Sequence, residues 1–152
     1  MRLSAKTDYA LRAVVEMAHV PAGKTITAEQ IAERQDIPFR FLQTILPVLN
    51  RAQIIASRVG RNGGWQLARP ADEISLADII RAIDGPLASV AGTQPQELDY
   101  RGTARPFKEV WVAVRSNLRS VLEKTTVADV ASGELTDEIQ AAVAVDDAWS
   151  PR

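Results

Sequence analysis

Residues 27–70 read TAEQIAERQDIPFRFLQTILPVLNRAQIIASRVGRNGGWQLARP and carry the signals of two helices followed by a hairpin. Thr27 and Gln30 form the capping-box pattern of a helix start, which predicts a short helix over residues 28–35. Pro38 suits the first turn of a second helix, because a backbone nitrogen at that position has no helical partner. Two helices joined by so short a connection predict a helix-turn-helix.

The second half of this stretch predicts a β-hairpin. The β-branched and apolar run at 54–59 predicts one strand, the glycine-rich residues 60–64 supply a turn, and residues 65–68 return. Trp65 packs this hairpin onto the domain or, as the less favoured alternative, stacks on a base. The predicted fold class is therefore mainly α with a small β-hairpin wing, a winged helix-turn-helix domain followed by a long C-terminal dimerisation helix.

Further helices are predicted on both sides of this stretch. Apolar spacing predicts a helix from about Ser4 to His19, and another that starts at the Ser75 cap and closes at Gly85. A short turn at 127–131 and a weak helix near 136–145 follow the dimerisation helix. The predicted domains are a DNA-binding domain at 1–85, a loop at 86–103, a dimerisation helix region at 104–131 and a weakly helical, partly flexible tail at 132–152.

The helix predicted over 104–124 carries more apolar surface than the neighbouring core should need. We expect part of this surface to bury against a second copy of the chain. The predicted dimer interface consists of Phe107, Val110, Trp111, Val114, Leu118, Val121 and Leu122.

Charge is distributed unevenly along the chain. Residues 1–70 hold ten Lys and Arg against five Asp and Glu, a net +5, whereas residues 71–152 hold eight against fourteen, a net −6. The overall pI of about 5.9 conceals this division. Between residues 37 and 71 there are five arginines and no acidic residue. Such asymmetry is typical of a chain in which one region faces phosphates.

The second helix of the helix-turn-helix predicts base recognition. An α-helix fits the major groove, and its first turns bring polar side chains to the base edges. Arginine can bind guanine and glutamine can pair with adenine, whereas the alternative interpretation is an ordinary solvated helix face. Pro47, inside the same helix, predicts a kink or an early end because it has no N–H to donate. The predicted base-reading residues are Arg40, Gln43 and Thr44.

The wing predicts contacts to the DNA backbone or to a narrow minor groove. Arg58 and Arg61 have no acidic residue within ten positions, although an exposed solubilising hairpin is the simpler alternative. Glycine permits close backbone approach to phosphate, and residues near the first helix start are also placed for phosphate. The remaining predicted DNA contacts are Ser57, Asn62, Gly63 and Gly64 in the wing, and Arg2, Lys6 and Thr7 at the N-terminus.

Composition excludes several classes of chemistry. The chain has no cysteine and one histidine, His19, so disulfides, thiolate catalysis and zinc ribbons are excluded, and we predict no metal and no cofactor. Hydrolase, phosphate-loop and zinc-protease motifs are absent, so an enzyme is not expected. No apolar run approaches a membrane span, and we expect a cytoplasmic protein. Two rival classes remain: a winged helix that binds only protein, and a small hydrolase or ligand carrier.

Several motifs together resemble the Rrf2 family of bacterial winged-helix regulators. They are MRLS at 1–4, TDYALR at 7–12, IAER at 31–34, GRNGG at 60–64 with LARP at 67–70, and TVADV at 126–130. The resemblance implies a homodimeric transcription factor, a repressor, on a palindromic operator of double-stranded DNA. It assigns base reading to Arg40, Gln43 and Thr44. The role of the wing arginine falls to Arg58 or Arg61, since Val59 occupies its usual position.

The chain also departs from this family. Sensor members hold an iron-sulfur cluster through three cysteines in the segment that corresponds to about 92–105, and this chain has none. Asp8 matches the position of a carboxylate ligand in nitric-oxide sensors, but one carboxylate cannot replace thiolates, so we expect a helix-start acid. The resemblance and the departure together predict a regulator without a cluster, controlled by a small effector or a partner protein, with the 86–103 loop able to change half-site spacing.

Overall fold

The computed structural model describes residues 3–151. Arg2, one of the predicted phosphate contacts, lies outside this range. The described chain forms seven α-helices and a two-stranded sheet, with short 3-10 turns at Ala71–Glu73, Pro95–Glu97 and Gly102–Ala104. The elements in chain order are α1 (Ala5–Ala18), α2 (Ala28–Gln35), α3 (Phe39–Arg51), β1 (Ile55–Arg58), β2 (Gly64–Leu67), α4 (Leu76–Asp84), α5 (Phe107–Leu122), α6 (Val127–Ser132) and α7 (Asp137–Val143).

The helices begin where the sequence places capping residues. The Ser4 hydroxyl accepts the Thr7 backbone N–H at 3.1 Å and starts α1. Reciprocal capping boxes join Thr27 with Gln30 at α2, and Ser75 with Asp78 at α4. Each box satisfies two backbone donors that the helix itself cannot pair. These predicted helix starts are confirmed.

Helix α3 does not end at Pro47, so the predicted early end is wrong. The helix continues to Arg51, and Pro47 lies on its exposed face while Leu46 and Leu49 remain buried. Proline removes one helical hydrogen bond, from its own nitrogen to the carbonyl of Gln43. On an exposed face water can bond that carbonyl, and burial of the apolar face maintains the helix beyond the proline.

One apolar core holds α1, α2, α3 and the wing together. Its fully buried side chains include Val14 of α1, Ile31 of α2, and Ile45 of α3. Strands β1 and β2 pair antiparallel, from Ile55 opposite Leu67 to Arg58 opposite Gly64. Trp65 is partly buried against this core, which confirms its predicted packing role.

The chain returns to this core after α5. Val127 is fully buried in the same core as α1 and α3, and its N–H donates to the Ile74 carbonyl at 2.9 Å. A second backbone bond runs from Leu76 N–H to the Thr125 carbonyl, also at 2.9 Å. Part of the predicted 104–131 region, namely α6, therefore packs on the N-terminal half of the chain.

Helix α5 is the longest described helix, yet none of its residues is buried, a property that it shares with the short helix α7. Leu122, near its C-terminal end, packs against a small cluster formed by Ala77, Ile80 and Leu87. Most of its remaining apolar side chains are exposed. No helix within residues 3–151 combines the length and the apolar character that crossing a membrane requires.

Candidate nucleic-acid interface

The outer face of α3 presents the three predicted base-reading side chains. Arg40, Gln43 and Thr44 are exposed, while Leu42 and Ile45 between them are fully buried and fix the rotation of the helix. The polar face therefore points away from the core along the first two turns. Those turns are the part of a recognition helix that reaches base edges.

Two of these side chains are already engaged within the protein. The Arg40 guanidinium lies 5.3 Å from the Phe41 ring centroid, a cation-π contact that keeps it close to the helix surface. The Thr44 hydroxyl donates to the Phe41 carbonyl at 2.9 Å. Its oxygen can still accept a hydrogen bond, whereas Gln43 keeps both a donor and an acceptor available.

The wing arginines are exposed and carry uncompensated charge. Arg58 donates through one guanidinium nitrogen to the Gly23 carbonyl at 2.8 Å. Across residues 3–151, no carboxylate forms an ion pair with Arg40, Arg58 or Arg61, although six ion pairs form elsewhere. The hairpin therefore offers its positive charge to an external anion.

Residues 25–26, to which the sequence analysis assigned no element, pair with the wing and hold it against the rest of the domain. Ile26 pairs with Trp65 through two backbone hydrogen bonds of 2.8 and 2.9 Å, which adds a third short strand position to the sheet. The Thr25 hydroxyl donates to the Asn62 carbonyl at the tip, at 3.0 Å. The β-branched run Thr25-Ile26-Thr27 is the signal that could have identified this strand.

The wing glycines have a structural role in addition to the predicted one. A Cβ on Gly64 would lie 2.7 Å from the Ile26 carbonyl oxygen, and a Cβ on Gly63 would lie 2.6 Å from that of Arg58. Both distances are too short for real atoms. These glycines are therefore required for the protein's own strand pairing and turn, and their approach to phosphate stays a prediction.

At the N-terminus, Thr7 is wrongly predicted as a phosphate contact. It is fully buried, and its hydroxyl donates to the Asp84 carboxylate at 2.5 Å. The bond joins the start of α1 to the end of α4. Lys6, in contrast, is partly exposed, and its ammonium interacts electrostatically with Asp84. Its contact with phosphate stays a prediction.

The residues present do not fit an iron-sulfur cluster. Thiolates normally bind such clusters, and the chain has no cysteine. Asp8 lies in the first turn of α1, as predicted, and Arg12 Nε lies 3.0 Å from its carboxylate. Residues 3–151 contain no group of three or more His, Cys, Asp or Glu side chains placed to hold a metal ion.

The structure divides the predicted dimer interface into two sets. Phe107, Val110, Val114 and Val121 are between 41 % and 52 % exposed. Trp111, Leu118 and Leu122 are half-buried toward their own chain, and Trp111 Nε1 donates to the Tyr100 hydroxyl at 3.0 Å. The first set forms the more exposed edge of α5, although the Phe107 ring also lies near the Tyr100 and Trp111 rings. The contribution of all seven residues to a dimer interface stays a prediction.

Comparison with known proteins is consistent across sequence and structure. Residues 3–133 match the family model described as "Rrf2: Iron-dependent Transcriptional regulator". A protein of Mycobacterium tuberculosis, provisionally named an HTH-type transcriptional regulator, is 46 % identical over 139 residues, which cover 91 % of this chain and 86 % of that protein. The HTH-type transcriptional regulator CymR of Bacillus subtilis is 29 % identical over 132 residues, 87 % of this chain and 91 % of CymR.

Solved structures support the same relationship. The structure of the B. subtilis global cysteine regulator CymR superposes with a TM-score of 0.74 at 28 % identity, covering 90 % of this chain and 99 % of that one. The T. potens IscR structure gives a TM-score of 0.70 at 25 % identity, with 93 % and 96 % coverage.

Proposed function

The chain belongs to the Rrf2 family of transcriptional regulators and is a DNA-binding regulator rather than an enzyme, and we propose that it acts as a homodimeric repressor on a palindromic operator. In this proposal α3 enters the major groove through Arg40, Gln43 and Thr44. The wing follows the adjacent backbone or minor groove through Arg58 and Arg61. Lys6, Arg2, Ser57 and Asn62 add contacts to phosphates.

The observation that supports the DNA-contacting surface is the uncompensated charge on two neighbouring elements. Exposed arginines on α3 and on the wing have no carboxylate partner in the described chain, while arginines elsewhere, such as Arg69 and Arg81, are ion-paired. A charge left unpaired on a thin hairpin gains most from a polyanion, because binding releases the counterions condensed on DNA. A hairpin built only for solubility would not need its strands fixed by Thr25 and Ile26.

Helix α5 supports the homodimer in the proposal. Its exposed edge of Phe107, Val110, Val114 and Val121 presents apolar side chains to water along nearly the whole helix. Two copies of this edge can cover each other around a two-fold axis. A two-fold protein presents two recognition helices to half-sites one helical turn apart, which is why the proposed operator is palindromic.

Regulation in the proposal does not use an iron-sulfur cluster, since the chain lacks thiolate ligands. A small effector or a partner protein controls DNA binding instead. The proposed location is the cytoplasm, where bacterial DNA is accessible. We propose that the 86–103 segment transmits the signal, because it joins the DNA-binding half to α5.

The first experiment selects duplexes from a random pool with the full-length protein, and then measures affinity for the selected duplex by fluorescence anisotropy over a range of salt concentrations. The logarithm of the affinity should fall with the logarithm of salt, with a slope of about −0.9 per neutralised phosphate. Arg61→Ala should weaken every duplex and reduce the magnitude of that slope by roughly one unit per protomer. Arg101→Ala removes the same charge from the 86–103 segment and serves as the matched control.

Gln43→Ala tests base reading separately from charge. It should relax preference at one base position in each half-site, at a cost of about 1–3 kcal/mol for the preferred duplex, while the salt slope stays unchanged. Selection without enrichment of any sequence would contradict the proposed function and would favour a winged helix that binds only protein.

A further inference from the structure

A cavity of about 800 Å³ lies between the start of α1, the end of α4, residues 86–95 and α5. Most of the side chains that line it are apolar, among them Ile80, Leu87 and, from α5, Trp111 and Leu118, while polar atoms, including backbone, contribute nearly as much of its surface as apolar atoms. Ligand pockets in proteins fall in the same range of volume and character. Val114, which belongs to the exposed edge assigned to the dimer, also lines the cavity. The DNA-contacting surface uses none of these side chains.

The charge of this cavity lies at the junction of α1 and α4. Asp84 is the one charged residue among the described residues that line it, and Ser4 and Ser89 lie in the same lining. The Asp84 carboxylate accepts the Ser4 hydroxyl at 2.9 Å and the Thr7 hydroxyl at 2.5 Å. These bonds fix the orientation of the carboxylate, which already lies where α1 begins and α4 ends.

Asp84 carries a negative charge at neutral pH. Burial alone would raise the pKa of Asp84, but the hydrogen bonds from Thr7 and Ser4 and the nearby Lys6 ammonium lower this pKa below its ordinary value. A cavity with an anionic end and apolar walls attracts a cation with an apolar body and repels an anion of the same shape.

We propose that this cavity is the effector site and that it binds a small molecule with an apolar or aromatic body and one ammonium group. The ammonium lies at the Asp84 end, and the body packs between Leu87 and the Trp111 and Leu118 side of α5. The inference rests on the proposed function in one respect, because the effector acts on DNA binding. Occupation of the cavity itself does not depend on it.

The position of the cavity explains how a bound ligand changes the affinity for DNA. Helices α1 and α4 belong to the core that supports α3 and the wing, whereas α5 carries the exposed edge assigned to the dimer. A ligand that fills the space between them favours one placement of α5 relative to the DNA-binding half. Such a ligand shifts operator affinity to the extent that it binds the two placements differently.

The test uses the full-length protein and two fluorescent probes that share one dansyl body and a linker of similar length. Dansylcadaverine ends in an ammonium, and N-dansyl-6-aminohexanoic acid ends in a carboxylate. Dansyl emission shifts to the blue and strengthens in an apolar site. The expected result is saturable binding of dansylcadaverine, one probe per chain, at least about tenfold tighter than the carboxylate probe.

Two variants and one control locate the bound probe. Ala88→Trp fills part of the cavity and should abolish binding, whereas Ala141→Trp, the same substitution on exposed α7, should not change it. Asp84→Asn should remove most of the preference for ammonium over carboxylate. Circular dichroism verifies the fold, and Ala88→Trp keeps the inference testable if Asp84→Asn unfolds the start of α1.

The outcomes separate this inference from the proposed function. Absence of saturable dansylcadaverine binding at millimolar concentration, equal binding of both probes, or full binding by Ala88→Trp each overturns the cavity assignment, even when operator binding is intact. Loss of dimer in Ala88→Trp without probe binding by the wild type shows that a second subunit fills the space. Probe binding that leaves operator affinity unchanged overturns the effector role, whereas a change of about tenfold or more supports it.

Discussion

Helices α3 and α5 carry similar apolar periodicity but meet different surroundings. In α3 the stripe Leu42, Ile45 and Leu49 is fully buried in its own chain. Helix α5 is longer, yet none of its residues is buried, and Phe107 remains 52 % exposed. A stripe that its own chain covers stabilises the fold. A stripe left open indicates a surface whose partner lies outside the chain.

The largest expected effect comes from the buried apolar stripe of α3. Ile45→Ala removes a fully buried side chain from α3 and should lower the free energy of unfolding by about 2–5 kcal/mol, at any protein concentration. Urea unfolding followed by circular dichroism measures this. Gln43→Ala on the exposed face of the same helix is the control and should change stability by no more than about 0.5 kcal/mol. Equal effects of the two variants would contradict the assigned faces.

The wing gives the next effect in size. Gly64→Ala places a Cβ against the Ile26 carbonyl and should cost about 1–3 kcal/mol of stability. Gly60 also has a positive φ, but a Cβ there would meet no atom within 4 Å. Gly60→Ala therefore measures the cost of backbone strain alone. The difference between the melting curves of Gly64→Ala and Gly60→Ala gives the cost of the contact between the added Cβ and the Ile26 carbonyl. A smaller loss for Gly64→Ala than for Gly60→Ala would contradict the close approach.

The exposed apolar stripe of α5 predicts that a substitution there affects dimer assembly rather than folding. Val114→Asp should weaken the dimer by at least about tenfold, because a carboxylate would lose water at the apolar interface. Sedimentation velocity over a dilution series measures this, and circular dichroism should show an intact N-terminal half. Val112→Asp is the matched control, since Val112 lies about 200° around the helix from Val114. Dissociation by both variants, or by neither, would contradict the proposed edge.

The smallest effect concerns the ion pairs that tie α5 to the N-terminal half. Hydrogen bonds from Arg119 and from Arg81 of α4 lower the pKa of Glu123 to about 2, against an ordinary value of 4.5. A lowered folded-state pKa stabilises the protein above about pH 4.5, and this contribution is lost as the pH falls toward 2.

The free energy of unfolding of the wild type should therefore fall by more between pH 5 and pH 3 than that of Glu123→Gln. The reason is that the Glu123 carboxyl group titrates over roughly this range. Thermal unfolding at low salt measures the difference, because salt screens exposed pairs. Glu109→Gln on the same helix is the control, since Glu109 forms no ion pair in the described residues. Identical acid profiles for the wild type and Glu123→Gln would contradict the role of the pair.

Local patterns predicted the fold well, because caps and periodicity are properties of neighbouring residues. Thr27 with Gln30 and Ser75 with Asp78 start helices at the predicted positions. The predicted site was less reliable. Thr7 is a polar residue near a chain terminus and gave no sign of burial, since its partner Asp84 lies 77 residues away. The glycines of the wing allow several interpretations from sequence, because the residues around them do not show that Ile26 lies beside Gly64.

The amino-acid sequence by itself determined the order of helices and wing, the acid-free arginine stretch and the absence of thiolate ligands. Each of these is set by residue type and by spacing along the chain. Tertiary structure alone decided that Val127 returns to the first core, that Trp111 and Leu118 face their own chain, and that a cavity lies between α4 and the middle of α5. The physical reason is that burial depends on which distant segments meet, and periodicity specifies a face without specifying what covers it.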